Sequence, residues 1–562
     1  MLNFSSDPNL AEKQMRAIIF YLTTFGHIDG EFDASERTFV KGYIEKLVAH
    51  RVKTGASQVS AAVQAELTTK YTAHFHEVFE GIDLQVKELF TEAVTHDEHQ
   101  DRFVHATLKL RCFETFQDFD RPSQEQLMAT IDHLIMADGE AHPAEVKFRE
   151  ELARLLDADV KLDLPASAVR NVTIIHPPAT LDSGNKTHPF FGQFEFHYSS
   201  EPDKIQRQLA ADREAVQQAA ALLEQRSAKK GPGKLQGKVS MDDLRGEDEL
   251  HEGHLQICPT KPGKKYELTV LGDLHGCYSC LKGAIIQSRF FERVSAFKAD
   301  PVNQPEPKLV LLGDYIDRGI FSLNGVLRTV LQIYCKAPEH VVVLRGNHEY
   351  FVEYQGNVYG GVKPSEAIDT LKPHVPIEIF RDYIRLFEAM TSVFIFDRIF
   401  FVHAGIPRDR LMKERFKDLS SLDDAELRFQ MMWSDPSSAD VIPAELQDQS
   451  ARFAFGKLQA QRFLQKLGCH TLIRGHEKVN EGFERVYDTP GALLLTLFSS
   501  GGEENDDLPM TSSYRQVTPM ALTIKHQDGK SEITPWAIDY KPYNDPERNG
   551  FFRQPPELRF GG

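Results

Sequence analysis

The chain has 562 residues, 41% of them hydrophobic, six cysteines and a formal net charge of -17. Its length exceeds what one core serves and implies about two to four domains, while the acidic balance argues against a nucleic-acid or anionic-membrane partner, which would need a basic surface. No apolar run reaches spanning length, the start Met1-Leu2-Asn3-Phe4 lacks the regions of a signal peptide, and the sparse cysteines form no disulfide framework, so a cytoplasmic address is expected.

The front of the chain reads as helical. Ala11 to Phe25 places Met15, Ile18, Ile19, Leu22 and Phe25 at helical spacing, and Thr38 to Leu47 repeats the pattern. Ser123 to Gln126 reads as a capping box for a helix through Ile135, and another helix starts at Pro143. Each helix pair is joined by an acidic turn, Asp29-Gly30-Glu31 and Asp138-Gly139-Glu140, with Glu36 or Glu145 in the next first turn. Glycine ends a helix and acidic residues satisfy the next N-terminus, so both turns read as caps, and neither has the ligand spacing of an EF-hand. This recurrence resembles the TerB-like helical module of tellurite resistance over residues 10–160, which implies a protein partner for that module.

Residues 161–225 form a mixed connecting region, with strand-like Val172 to Ile175 and Phe194 to Tyr198 and a helix from Ile205 to Gln225. Residues 226–265 are expected to be a linker, because Arg226 to Glu252 is rich in Lys, Gly, Asp and Glu. A catalytic domain is expected at 266–530, followed by a tail at 531–562 with Trp536, Tyr540, Tyr543, Phe551, Phe552 and Phe560, too aromatic for plain disorder and expected to pack along the surface.

Five polar segments in that domain each follow a short strand-forming run: Gly272-Asp273-Leu274-His275-Gly276, Gly313-Asp314-Tyr315-Ile316-Asp317-Arg318-Gly319, Gly346-Asn347-His348-Glu349, His403-Ala404-Gly405 and Arg474-Gly475-His476. Strand ends in packed sheets deliver such side chains to one rim. Carboxylates, imidazoles and an amide oxygen suit two divalent ions. Asp273, His275 and Asp314 are expected to hold one, and Asp314, Asn347, His403 and His476 the other, with a bridging hydroxide attacking phosphorus. His348 is the candidate general acid, Asp317 its hydrogen-bond acceptor, and Arg318 a phosphate ligand. Cys277 and Cys280 beside the first segment read as ordinary thiols on a helix.

These segments, with Asp317 to Gly319, Trp433-Ser434-Asp435-Pro436 and Phe455-Gly456, resemble the phosphoprotein phosphatases, metal-dependent serine/threonine phosphatases within the calcineurin-like metallophosphoesterases. The resemblance covers residues 266–527 and implies an α/β domain, a β-sandwich flanked by helices, with manganese as the expected metal and iron or zinc as alternatives. With the helical front, the expected fold class is multidomain, all-α followed by α/β.

Three departures stand out. Gln449 occupies the place of a second phosphate-binding arginine, for which Arg452 is the candidate substitute. Phe498-Ser499-Ser500-Gly501-Gly502 replaces the eukaryotic Ser-Ala-Pro-Asn-Tyr segment, so its tyrosine contact is expected to be lost, and Tyr350 to Gly361 points to a bacterial branch. The acidic run Glu503 to Asp507 is expected to be a solvated loop. The leading expectation is a bacterial serine/threonine protein phosphatase acting on phosphoproteins. A dinucleoside-polyphosphate or small-phosphoester hydrolase and a stress-response scaffold built on the helical module are the alternatives.

Overall fold

A computed structural model describes residues 4–5, 7–28, 32–89, 100–117, 119–137, 142–157, 170–175, 187–230 and 233–561. Both acidic turns, at 29–31 and 138–140, lie outside the described residues. The chain divides into two compact units, one formed by Met1–Leu162 with Ser437–Gly456, the other by Asp163–Pro436 with Lys457–Gly562.

The first unit contains α1 (Pro8–Phe25), α2 (Ala34–Gly55), α3 (Ala61–Leu89), α4 (Gln100–Gln117), α5 (Arg121–Leu134) and α6 (Pro143–Asp157). The apolar stripe of α1 is wholly buried and meets Val40 and Ile44 of α2, Phe79 of α3, Phe116 of α4, Ile131 of α5 and Phe148 of α6 in one core. Glu36 is a cap: its carboxylate accepts from Asp33 N at 3.0 Å while Asp33 Oδ1 accepts from Glu36 N at 2.8 Å. Asp120, not Ser123, caps α5, because its Oδ1 accepts from Ser123 N at 2.9 Å. Segment 437–456, expected inside the catalytic domain, adds Ala439, Ile442, Leu446 and Ala454 to this helical core.

The second unit stacks two sheets. One has the order Val172–Ile174, Lys530–Ala537, Met520–Gln527, Lys265–Leu271, Glu306–Leu311, Val341–Val343; the other Phe483–Thr489, Ala492–Leu497, Thr471–Arg474, Ile399–Val402, Val393–Phe396, Leu255–Cys258, Leu250–Glu252. Side-chain alternation sorts the residues. Val270, Val310 and Leu312 meet Phe401, Ile473 and Leu495 between the sheets. Leu271, Leu309 and Leu311 face the other way, against helices that include α7 (Pro202–Lys230) and α8 (Tyr278–Gln287). Strands covered on both faces read as unbroken apolar runs, as these do.

Three local expectations change. The linker contains real structure: Leu255–Cys258 extends the seven-stranded sheet by pairing with Val393–Phe396, and Leu250–Glu252 pairs with Leu255–Cys258 as its edge strand. The tail begins too early, since Ile533 and Trp536 belong to a full strand and Trp536, Phe551 and Phe560 are core residues rather than surface cover. Phe194 to Tyr198 is irregular rather than a strand, its carbonyls at 194 and 196 accepting from Arg328 at 2.9 Å. Arg328 also grips Asp212 of α7 with two bonds of 2.7 and 2.8 Å, which fastens the connecting region into this unit.

Candidate active site

Lys265–Leu271, Glu306–Leu311 and Val341–Val343 run parallel, as do Ile399–Val402 and Thr471–Arg474, so the five segments emerge at strand ends that point the same way within each sheet. Small residues let the loops close. At Gly475 a Cβ would run into the Asp273 carboxylate, and at Gly346 into that of Asp314. His275, Asp314, Asp317, Arg318 and His476 all hold left-handed backbone, with φ of 40°, 53°, 65°, 67° and 70°. Strain of this kind costs roughly 1–3 kcal/mol per residue and persists where surrounding structure over-determines it.

Glu349 supplies much of that determination. Its Oε2 accepts from Asp314 N at 2.8 Å and Gly346 N at 3.0 Å, and its Oε1 accepts from Tyr315 N at 2.8 Å and Ile316 N at 3.3 Å. It is fully buried, and burial lifts its carboxyl to about 7 although four amides oppose the shift. The motif contained this residue, but only its contacts identify it as the staple between two loops. The two sheets are joined at the rim as well, because the Asp273 carboxylate accepts from His476 N at 2.9 and 3.1 Å.

The imidazoles are oriented from behind. His275 Nδ1 donates to Ile316 O at 3.0 Å and His403 Nδ1 to Leu312 O at 2.9 Å, which leaves both Nε2 atoms as acceptors aimed inward. His275 Nε2 lies 3.4 Å from Asp314 Oδ2 and 3.7 Å from Asp273 Oδ2; His403 Nε2 lies 3.4 Å from Asp314 Oδ1, 2.9 Å from the Asn347 amide and 3.2 Å from His476 Nδ1. Two groups of three, His275 with Asp314 and His348, and Asp314 with His403 and His476, each bring ligand atoms within 4.8 Å of one another. Asp314 is common to both.

This collection of acceptors fits cations. Burial raises the carboxyls of Asp273 and Asp314 and lowers the imidazoles of His275 and His403, so each group resists its own charged state. A positive ion reverses the penalty for the carboxylates and uses the neutral imidazoles as they stand. The Asn347 amide can turn either face to His403, His476 and Asp314, and with oxygen inward it completes a ligand set.

His348 stands beside this nest. Its Nδ1 bonds Asp317 Oδ2 at 2.7 Å, and its Nε2 is 3.9 Å from Asp314 Oδ2. Asp317 Oδ1 accepts from Ala367 N at 2.8 Å. Burial lifts Asp317 to about 6, against Arg318 and the Ala367 amide, and burial with the Arg318 charge holds His348 well below its ordinary value. Arg474 is wholly buried and bonds Asp435 at 2.6 Å, while Trp433 packs edge-on to His476 with centroids 6.0 Å apart, which accounts for the Trp433-Ser434-Asp435-Pro436 segment.

Two expectations about neighbouring loops fail. A tyrosine does reach the site: Tyr514, from the same long loop that departs at Phe498, lies 5.4 Å from the His275 ring and 5.2 Å from Phe498, with its phenol interacting with Arg318. The segment loses the tyrosine locally, and a 3-10 turn at Ser513–Gln516 restores one. The acidic run is not simply solvated. Asp507 is fully buried and accepts from Ser279 N at 2.5 Å and Ser279 Oγ at 3.0 Å, although Glu503, Glu504 and Asp506 are exposed. Cys277 precedes α8 and Cys280 lies in it, both free and buried. Arg452 belongs to the segment that folds with the helical unit and is not among the residues gathered within this one.

Residues 266–480 match the family model for calcineurin-like phosphoesterases. That stretch is therefore a calcineurin-like phosphoesterase domain, and all of it except 437–456 belongs to the second unit. Solved structures similar to the chain include a protein serine/threonine phosphatase from Saccharomyces cerevisiae with similarity to human phosphatase PP5, 17% identical over 58% of this chain and 90% of that one, with a TM-score of 0.37. A cold-active protein-tyrosine phosphatase of a psychrophile Shewanella is 17% identical over 49% and 82%, TM-score 0.30. A purple acid phosphatase from yellow lupin (Lupinus luteus) seeds is 12% identical over 51% and 56%, TM-score 0.24. Among the described residues of the chain, no helix is long and apolar enough to cross a membrane.

Proposed function

We propose that the phosphoesterase domain is a dinuclear-metal phosphomonoesterase that removes phosphate from serine or threonine side chains. The observation that carries this reading is the His348–Asp317 pair at 2.7 Å, buried and set beside the acceptor nest centred on Asp314. Asp273, His275 and Asp314 would hold one ion and Asp314, Asn347, His403 and His476 the second; this mixture of oxygen and imidazole donors suits manganese, with iron or zinc as alternatives. When bound, the ions supply Lewis acidity toward phosphoryl oxygens and lower the pKa of water.

The chain's own residues do the rest. Arg318 holds phosphate oxygens, and its planar fork sets their orientation. Asp317 accepts from His348 Nδ1, which keeps Nε2 as the atom turned to the reaction. As a water oxygen adds to phosphorus and the P–O bond breaks, the doubly protonated His348, an imidazolium that the Asp317 carboxylate stabilises after uptake of a proton from water, gives its Nε2 proton to the leaving serine or threonine oxygen and returns to the neutral form that burial favours. Tyr514 stands with its ring 5.4 Å from that of His275.

The experiment is turnover after chelation and Mn²⁺ add-back, on phosphoserine and phosphothreonine peptides beside a dinucleoside polyphosphate, with His348→Asn as the blank. Metal-dependent peptide hydrolysis is the expected result. Preferential cleavage of the polyphosphate would overturn the substrate assignment, and activity that survives chelation would overturn the metal assignment.

A further inference from the structure

Arg318 already has an anionic partner of its own. Its Nη1 lies 2.8 and 2.9 Å from the two oxygens of the Glu366 carboxylate and donates to Pro364 O at 3.2 Å. Both side chains are mostly covered, at 18% and 16% exposure, so the pair is not the solvated kind that contributes little. Glu366 opens the helix Glu366–Leu371, and the next residue, Ala367, donates its N–H to Asp317 Oδ1 at 2.8 Å. One turn of chain, 364–367, thus grips the two consecutive residues Asp317 and Arg318 that hold left-handed backbone.

A carboxylate presents a guanidinium with the same pair of anionic oxygens as a phosphate ester. We propose that Glu366 is a positioning residue that aims Arg318 and competes with phosphate for its N–H groups, so that the arginine is pre-set before substrate arrives and released product is held less tightly. This rests on Arg318 being the phosphate ligand of the proposed reaction. The two jobs of Glu366 separate by substitution. Glu366→Gln keeps a hydrogen-bond acceptor near Arg318 and removes the competing charge. Glu366→Ala removes both, and the freed arginine pays more rotamer entropy to bind.

The test is kcat, KM and inhibition by inorganic phosphate for the full-length wild type and both variants, with direct calorimetric titration of phosphate into each metal-loaded protein. Glu366→Gln is expected to bind phosphate about three- to tenfold more tightly, with a lower KM, and Glu366→Ala to raise KM by a similar factor with a smaller change in kcat. Unchanged phosphate affinity in a folded Glu366→Gln protein would overturn the proposal, as would parallel losses in kcat alone for both variants. If the wild type turned over no phosphoester yet Glu366→Gln still bound phosphate more tightly, the proposed function would fail and the Arg318–Glu366 assignment would stand.

Discussion

In the helical unit Asp83 sits among His27, Arg37 and Lys87 at 2.7, 2.9 and 2.7 Å, and these partners outweigh its burial and hold its carboxyl near 2. In the phosphoesterase unit Asp273 and Asp314 are at least as buried, face imidazoles held neutral, and are pushed up by burial that the Arg474 charge at Asp273 and the Arg318 charge at Asp314 do not offset. The same side chain is therefore satisfied in one place and left in need of a positive ion in the other. Buried carboxylates count as a candidate active site when the surrounding structure withholds their counter-charge, not simply because they are clustered.

The largest test of that contrast is Asp314→Ala, which removes the carboxylate shared by both ligand groups. Turnover is expected to fall on the order of 10⁴-fold together with a loss of bound metal measured by elemental analysis, whereas Asp83→Asn should leave both unchanged. His348→Asn comes next. It should lower kcat for a phosphoserine peptide by about 10²- to 10⁴-fold while metal content stays at the wild-type level. The loss should shrink on an aryl phosphate whose leaving group needs no proton, and an equal loss on both substrates would rule out the general-acid role.

Smaller effects concern stability. Ile442→Ala and Leu446→Ala are expected to destabilise the helical unit by about 2–5 kcal/mol each, read by chemical denaturation, because those side chains belong to the helical core although they are encoded in the second half of the chain. The smallest is the acid response of Asp83. Its folded value near 2 lies below the ordinary carboxyl range, so its contribution of about 2 kcal/mol is complete above roughly pH 5 and lost as the pH falls through 2. Asp83→Asn should flatten the stability of the helical unit across that window, and an unaltered slope would show that Asp83 is not its source.

The residues of the candidate site were legible because each of the five segments follows an apolar strand, and strands of a sandwich covered by helices end at a rim. The structure brings ligand atoms of Asp314, His403 and His476 within 4.8 Å of one another. The roles of Glu349 and Glu366 were not legible, since a carboxylate that accepts four amides and one that accepts a guanidinium look alike in one dimension. Tyr514 was hidden for a related reason: it reaches His275 from sixteen positions beyond Phe498, where no local spacing ties it to the strand. The supposed linker misled through its charged composition, because Leu255–Cys258 is recruited by pairing with Val393–Phe396, and Leu250–Glu252 by pairing with Leu255–Cys258, rather than by their own propensity.

By itself, then, the sequence determined the helical front, the strand-bound polar segments and the donor chemistry they bring, all of which follow from local periodicity and residue type. Tertiary structure alone decided that residues 437–456 leave the second unit for the helical core, that strands from 172 to 537 share one sheet, and which carboxylates are paired and which are not. Burial and counter-charge are properties of neighbours distant in the chain, and those neighbours exist only once the chain has folded.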